Sequence, residues 1–232
     1  MNKIISNFNL INNQMKIACW NIERPTKAMT RTATIIDCLE KIDADILILT
    51  ESNEIVNLGD KYNAYHSSKL ESTYFSDGER RVSIYSKFRS IKQFETFRND
   101  TSICLQFSTI FGELAVYATV IGIHGNRRNS FTQDLNRQLA DFDKISKLSN
   151  ICIAGDLNIS FSDNYYFTKS GREKLTSSIQ KLNLVNLTAN IPQNIDHIIL
   201  SRSFAGVRKV NIETWNLDKK LSDHIGVAVE LD

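Results

Sequence analysis

The sequence predicts an α/β fold in which two β-sheets pack on one another with helices outside. Strand-like runs outnumber helical stripes by roughly two to one. Several of those runs follow one another with no helix between them, which fits a single doubly wound sheet poorly and two packed sheets well. The long run at 114–123 is apolar at successive positions, as a strand covered on both faces must be.

In chain order, MKIACWNI (15–22) and ADILILTE (44–51) read as buried strands, and Ile35, Ile36 and Leu39 give a modest helical face between them. VSIYS (82–86), SICLQF (102–107) and LAVYATVIGI (114–123) follow as strands. In SICLQF the side chains of Ile103, Leu105 and Phe107 share one face, which predicts a half-buried strand. LAVYATVIGI belongs in the middle of a sheet. The clearest helix comes next, with Phe131, Leu135, Leu139, Phe142 and Ile145 forming one apolar stripe. After ICIAGDLN, Leu175, Ile179 and Leu182 predict a helix over 171–182. IDHIIL (195–200), a run near 206–214 and IGVAVEL (225–231) close the chain as strands.

Composition sets the outer bounds. A chain of 232 residues is long enough for one sizeable core, and 42% hydrophobic with 23% charged residues is ordinary for a soluble protein. The net charge of +2 leaves any basic footprint local. No stretch approaches the roughly 20 apolar residues of a membrane span. Residues 1–14 lack a continuous apolar core and a small-residue cleavage site, so they read as an extension rather than a signal peptide, with residues 15–232 as a single domain. Cys19, Cys38, Cys104 and Cys152 lie in apolar segments without CxxC spacing, which predicts reduced, buried thiols in a cytoplasmic protein.

The polar residues are more informative because they gather at strand ends. Asn21 closes the first strand run and Glu51 the second. His124 and Asn126 follow the long central strand, and Asp156 and Asn158 follow the next. Asp196 opens IDHIIL, and Ser222, Asp223 and His224 precede the last strand. Singly, each has a local explanation as a turn or capping residue.

Together and in this order, WNI (20–22), LTE (49–51), IGIHGN (121–126), GDLN (155–158), IDHI (195–198) and SDH (222–224) resemble the endonuclease/exonuclease/phosphatase superfamily. The resemblance runs from about residue 15 to the C-terminus, and GDLN followed at the right distance by SDH is its most specific part. It implies a four-layer α/β/β/α sandwich of two mixed sheets, with the site at one end. It also implies a divalent cation, Mg²⁺ or Mn²⁺. By this resemblance Glu51 matches the metal-binding glutamate, Asn21 the asparagine beside it, and Asp223 a second carboxylate on the metal side. Asp156 and Asn158 match the pair that orients water and holds phosphate. His224 matches the catalytic histidine, and Asp196 the carboxylate paired with it.

The chemistry suits these side chains. A nucleophile approaching a phosphodiester moves against negative charge, which a cation held by carboxylates offsets. Histidine exchanges protons near neutral pH, and a carboxylate fixes its tautomer. Asparagine amides donate to phosphoryl oxygens without adding charge. Asp196 and His197 are neighbours in an extended run, so they point to opposite faces. The resemblance selects Asp196 for the site, which leaves His197 packed inside; His66 reads as surface.

The loop after the central strand offers both His124 and Asn126 for one family position. Glu79 either partners His124 or is a charge in a solvated turn. Arg127 and Arg128 follow that loop as candidate phosphate-binding residues. The resulting expectation is a metal-dependent phosphodiesterase acting on nucleic acid, DNA first, with neither a membrane nor an obligate protein partner. A phosphatase or phospholipid phosphodiesterase with the same core is the alternative, and an inactive binding module stands behind both.

Overall fold

A computed structural model of the chain describes residues 14–70, 75–123, 125 and 129–232. From the N-terminus the elements are β1 (Met15–Asn21), α1 (Arg31–Ile42), β2 (Ile46–Asn53), β3 (Asn63–His66), β4 (Glu79–Ser86) and β5 (Ser90–Phe94). There follow β6 (Ser102–Thr109), β7 (Gly112–Val120), α2 (Asn129–Ser146), β8 (Ile151–Asp156) and α3 (Lys169–Lys181). The chain closes with β9 (Leu184–Asn186), β10 (Asp196–Ser201), α4 (Arg202–Ala205), β11 (Val210–Trp215) and β12 (Gly226–Leu231).

The strands form two six-stranded mixed sheets, in the orders β11-β12-β1-β2-β4-β3 and β5-β6-β7-β8-β10-β9. Each sheet has a parallel pair near its centre, β1 with β2 and β7 with β8, bridged by α1 and by α2 respectively. Alternation along the central strands explains the layers. Ile17 and Cys19 of β1 face Val116, Ala154 and Ile198 between the sheets. Ala18 and Trp20 face outward beneath Ile35 and Leu39 of α1. In the second sheet Tyr117 and Ile153 face outward beneath Phe131, Leu135 and Phe142 of α2 and Leu175 of α3. The result is the expected α/β/β/α sandwich, in which each fully buried aliphatic or aromatic side chain contributes about 1.5–3 kcal/mol.

Three local expectations are corrected. β6 is buried on both faces rather than half-buried: Ile103, Leu105 and Phe107 enter the inter-sheet core, while Cys104 packs beneath the helices. His66 is half-buried rather than simply on the surface, because on edge strand β3 it bonds Ser83 Oγ at 2.8 Å and meets the Tyr85 ring edge-on. Cys38 is only partly covered, unlike the other three cysteines. The short strands β3, β5 and β9 carried too little periodicity to be read from the sequence. No helix among the described residues is long and apolar enough to cross a membrane.

Pairing register brings the polar strand ends together. Asn21 lies across from Thr50, Val120 from Asp156, and Asp156 from Asp196. α2 helps to fix this end through two polar residues on its buried side. Asp134 accepts from Gly122 N at 2.6 Å, and Gln138 bonds both Thr119 Oγ1 and Val120 O. Gly155 is required by close approach: its φ is 143°, and a Cβ there would stand 1.8 Å from Thr119 O. Gly155→Ala should therefore destabilise the chain by at least about 2 kcal/mol, as overpacking at a rigid backbone does. Urea unfolding checks this, and an unchanged midpoint would show that β7 and β8 separate easily.

Candidate active site

The loop before β12 holds its polar residues through backbone contacts. Ser222 Oγ donates to Asn21 O at 2.6 Å and accepts from His224 N at 3.2 Å. Trp20 Nε1 and Asn216 Nδ2 both donate to His224 O, at 3.1 and 2.6 Å. With its backbone pinned, the His224 ring places Nδ1 2.5 Å from Asp196 Oδ2 and Nε2 3.6 Å from Asp223 Oδ1. Asp196 is buried at the start of β10, and Cys19 Sγ lies 4.0 Å from its other oxygen, Oδ1. Asp223 is the open member, with a side chain 73% exposed.

Asp156 closes β8 next to this pair. Its Oδ1 accepts from Asn158 N at 2.9 Å, and its Oδ2 from Asn21 Nδ2 at 3.3 Å. Asn158 adopts a left-handed backbone (φ 52°) and donates its amide to Ile121 O at 3.0 Å, which ties the end of β8 to the turn after β7. Burial pushes the Asp156 carboxyl well above the usual carboxylate range; His224 opposes that shift, and Asp196 and Glu51 add to it. Burial works against a charge on His224, but Asp196, aided by Asp156 and Asp223, outweighs it and pushes the imidazole up to about 10.

Glu51 sits where β2 loses its regularity. Its φ is 45°, and the alternation breaks there. Ser52, which a regular strand would place on the face of Thr50, instead bonds Ser83 Oγ at 2.6 Å. Arg24, also left-handed (φ 51°), places Nε 2.9 Å from Glu51 Oε2. Glu51, Asp156, Asp196, Asp223 and His224 line one pocket of about 330 Å³.

Among the described residues no three His, Cys, Asp or Glu side chains form a ready cage for an ion. A hexa-coordinate hard cation needs less, since Mg²⁺ keeps several waters and binds through one or two carboxylates. Four carboxylates lining a pocket against few cations, one of them forced toward its neutral form, fit such an ion chemically. Asn21 Oδ1 accepts from Glu23 N at 3.0 Å, so that contact shares the amide oxygen with any ion.

Of the other residues singled out by sequence, His124, Asn126, Arg127 and Arg128 lie outside the described residues. Glu79 is buried rather than in a solvated turn, and its Oε2 accepts from Ser76 N at 3.0 Å. His197 is fully buried on the opposite face from Asp196, with Nε2 2.9 Å from Ile159 O and Nδ1 3.1 Å from Thr188 Oγ1. Sequence reasoning missed Arg81, Tyr165 and Lys219, which also line the pocket. It also missed Asn216, which holds the His224 loop. Nothing in the local pattern distinguishes Arg81 from Arg80, or Lys219 from Lys220.

The fold and this gathering of carboxylates, amides and histidine at one sandwich end define a DNase I-like hydrolase scaffold. The model of the Endonuclease/Exonuclease/phosphatase family matches residues 18–224, and the chain belongs to that family, whose members are typically metal-dependent hydrolases. No curated protein matches the sequence. The solved structures it resembles include an AP endonuclease from Archaeoglobus fulgidus, 16% identical with a TM-score of 0.69 over 94% of this chain and 99% of that one. They also include the 3′ phosphatase NExo from Neisseria bound to product DNA hairpin, 15% identical with a TM-score of 0.69 over 94% and 99%. A third is the AP endonuclease LMAP from Leishmania major, 16% identical with a TM-score of 0.68 over 94% and 87%. At such identities the likeness is one of fold.

Two stability measurements test the electrostatics. A raised folded pKa at Asp156 means that its contribution is present below the unfolded value and lost as pH rises through the folded one. Asp156→Asn should therefore raise the melting temperature of the metal-free chain at neutral pH; a lower one would mean that the charged carboxylate is well satisfied. His197 has the opposite sign, because burial pushes its imidazole down to about 4 from 6.5. The unfolded chain binds the extra proton in that window, so stability rises with pH from about 4 to 6.5, by about 3 kcal/mol. His197→Gln should flatten this acid arm relative to the parent chain, and equal slopes would contradict a neutral buried ring.

Proposed function

We propose that this chain hydrolyses phosphodiester bonds in DNA with Mg²⁺ or Mn²⁺ as cofactor. The observation that carries the reading is the Asp196–His224 contact beside a buried Asp156 whose carboxyl is pushed up. That combination supplies a proton donor and a proton acceptor in one pocket. The DNA part of the reading draws support from the AP endonucleases and the DNA-bound 3′ phosphatase that share the fold.

In this mechanism Asp156 takes the proton of a water whose oxygen attacks phosphorus, and a raised pKa makes it a competent base near neutrality. His224, held by Asp196 through Nδ1, presents Nε2–H to a phosphoryl oxygen and stabilises the charge that develops there. Asn21 and the Asn158 backbone N–H hold Asp156 in place. The P–O bond to the leaving oxygen breaks with its electron pair, and that oxygen takes a proton from water. A cation, when bound, would be held by Glu51 with Asn21 and Asp223 nearby, and would supply charge neutralisation of the phosphate and leaving oxygen. The phosphatase reading uses the same groups on a terminal phosphate.

EDTA should abolish cleavage of duplex, abasic and single-stranded DNA. Mg²⁺ or Mn²⁺ should restore it and raise the melting temperature through preferential binding to the folded chain. Asp156→Asn should lower turnover by at least about 10²-fold with the fold intact. Full cleavage in excess chelator would overturn the reading. Turnover confined to inositol phosphates or sphingomyelin would move the substrate away from DNA.

A further inference from the structure

Two cations line the pocket without a carboxylate partner among the described residues. Arg81 on β4 is half-buried, and its Nε is buried with no hydrogen-bond partner among the described residues. Its neighbours behave differently: Arg80 pairs with Glu54, and Arg98 places Nε and Nη2 on both oxygens of Asp100. Asp100, Glu51 and Glu79 act on Arg81 only through space. The guanidinium is instead steadied by a ring, with its central carbon 5.2 Å from the Phe75 centroid.

Lys219 repeats the pattern from another element. Lys220 beside it pairs with Asp218 at 2.7 Å, whereas Lys219 makes no ion pair among the described residues. Left-handed backbone at Asn216 and Lys219 (φ 55° and 53°) shapes the loop that carries Lys219 to the pocket lining. Its Nζ lies 4.6 Å over the Tyr165 ring centroid and 3.0 Å from Tyr165 Oη. Ring support lowers the entropy lost when each cation is held by an incoming anion, and neither must first break an ion pair.

We propose that Arg81 and Lys219 are phosphate-binding residues of the pocket, placed to hold a nucleic-acid strand at more than one phosphate around the reacting centre. This rests on the phosphodiesterase reading above. The fork of Arg81 suits two oxygens of one phosphate, and the ammonium of Lys219 acts as a point charge. With a net charge of only +2, strand affinity must come from local groups such as these.

The test is binding rather than turnover. In a His224→Ala background, which leaves the strand uncut, anisotropy of a labelled thymidine oligonucleotide is followed with Mg²⁺ across a salt series. Arg81→Met and Lys219→Met should each weaken binding several-fold and reduce the salt slope by about 0.7, the single-strand value per phosphate contact. The double variant should lose about twice that, and Arg81→Lys, which keeps the charge, should retain the parent slope. Unchanged slopes in both Met variants, with the background chain still binding, would overturn this inference and leave the phosphodiesterase reading standing. Absence of strand binding by the background chain, together with no DNA cleavage by the unaltered chain, would remove both. Tight binding of inositol hexakisphosphate without strand binding would also overturn it.

Discussion

The imidazole of His224 against Asp196 is the interaction on which the site depends. Asp156 and Asp196 face one another across β8 and β10, with Asp223 and Glu51 lining the same pocket. Several carboxylates in a partly dehydrated space repel one another, and each would prefer to take a proton. A positive ring in contact with one and near two others makes the arrangement tolerable. The same ring is thereby held charged and oriented, so stabilising the cluster and preparing a proton donor are one physical act. Residual negative charge is the reason a hard cation suits the remaining carboxylates.

Holding that ring requires backbone, because side chains alone would let it turn. The loop before β12 is tied to β1 through Ser222 and Trp20, and is braced internally by Asn216 at its start. β1 lies at the centre of its sheet with both faces covered, so it is among the stiffest elements available. The pocket thus inherits its rigidity from the core. Strain collects around the pocket: Glu51 within β2 and Asn158 just beyond β8 both take left-handed backbone. Glu51 is held by the pairing of Thr50 and Ser52 with β4, and Asn158 by its hydrogen bonds to Asp156 and Ile121.

Stability and chemistry pull apart at this end of the sandwich. Asp156 is buried where its charge is disfavoured, and among the described residues Arg81 carries a buried guanidinium nitrogen without a hydrogen bond. Neither arrangement favours the folded chain by itself. Both make sense if their partners arrive from outside, as a water losing a proton and as an anion. The core has apolar area enough to carry these local costs, since both faces of the central strands are dry.

The alternation and length of the apolar runs determined the layered architecture. The central strands are buried on both sides, and a doubly buried strand has to be written in consecutive apolar residues. The positions of Asn21, Glu51, Asp156, Asp196, Asp223 and His224 at strand ends were legible for the same reason: polar side chains stand out where such runs stop. SICLQF misled because Ile103, Leu105 and Phe107 mark only one buried face, yet Cys104 on the other face sits under a helix that its own strand does not encode. His66 misled likewise, since Ser83 and Tyr85, which half-cover its ring, come from a neighbouring strand. Only the tertiary structure decided that these residues coincide, because that depends on register between strands more than two hundred residues apart. It also decided which basic residues have no ion-pair partner among the described residues. Arg80 and Arg81 are chemically identical in the sequence, and what separates them is which side of a strand meets Glu54 and which meets the pocket.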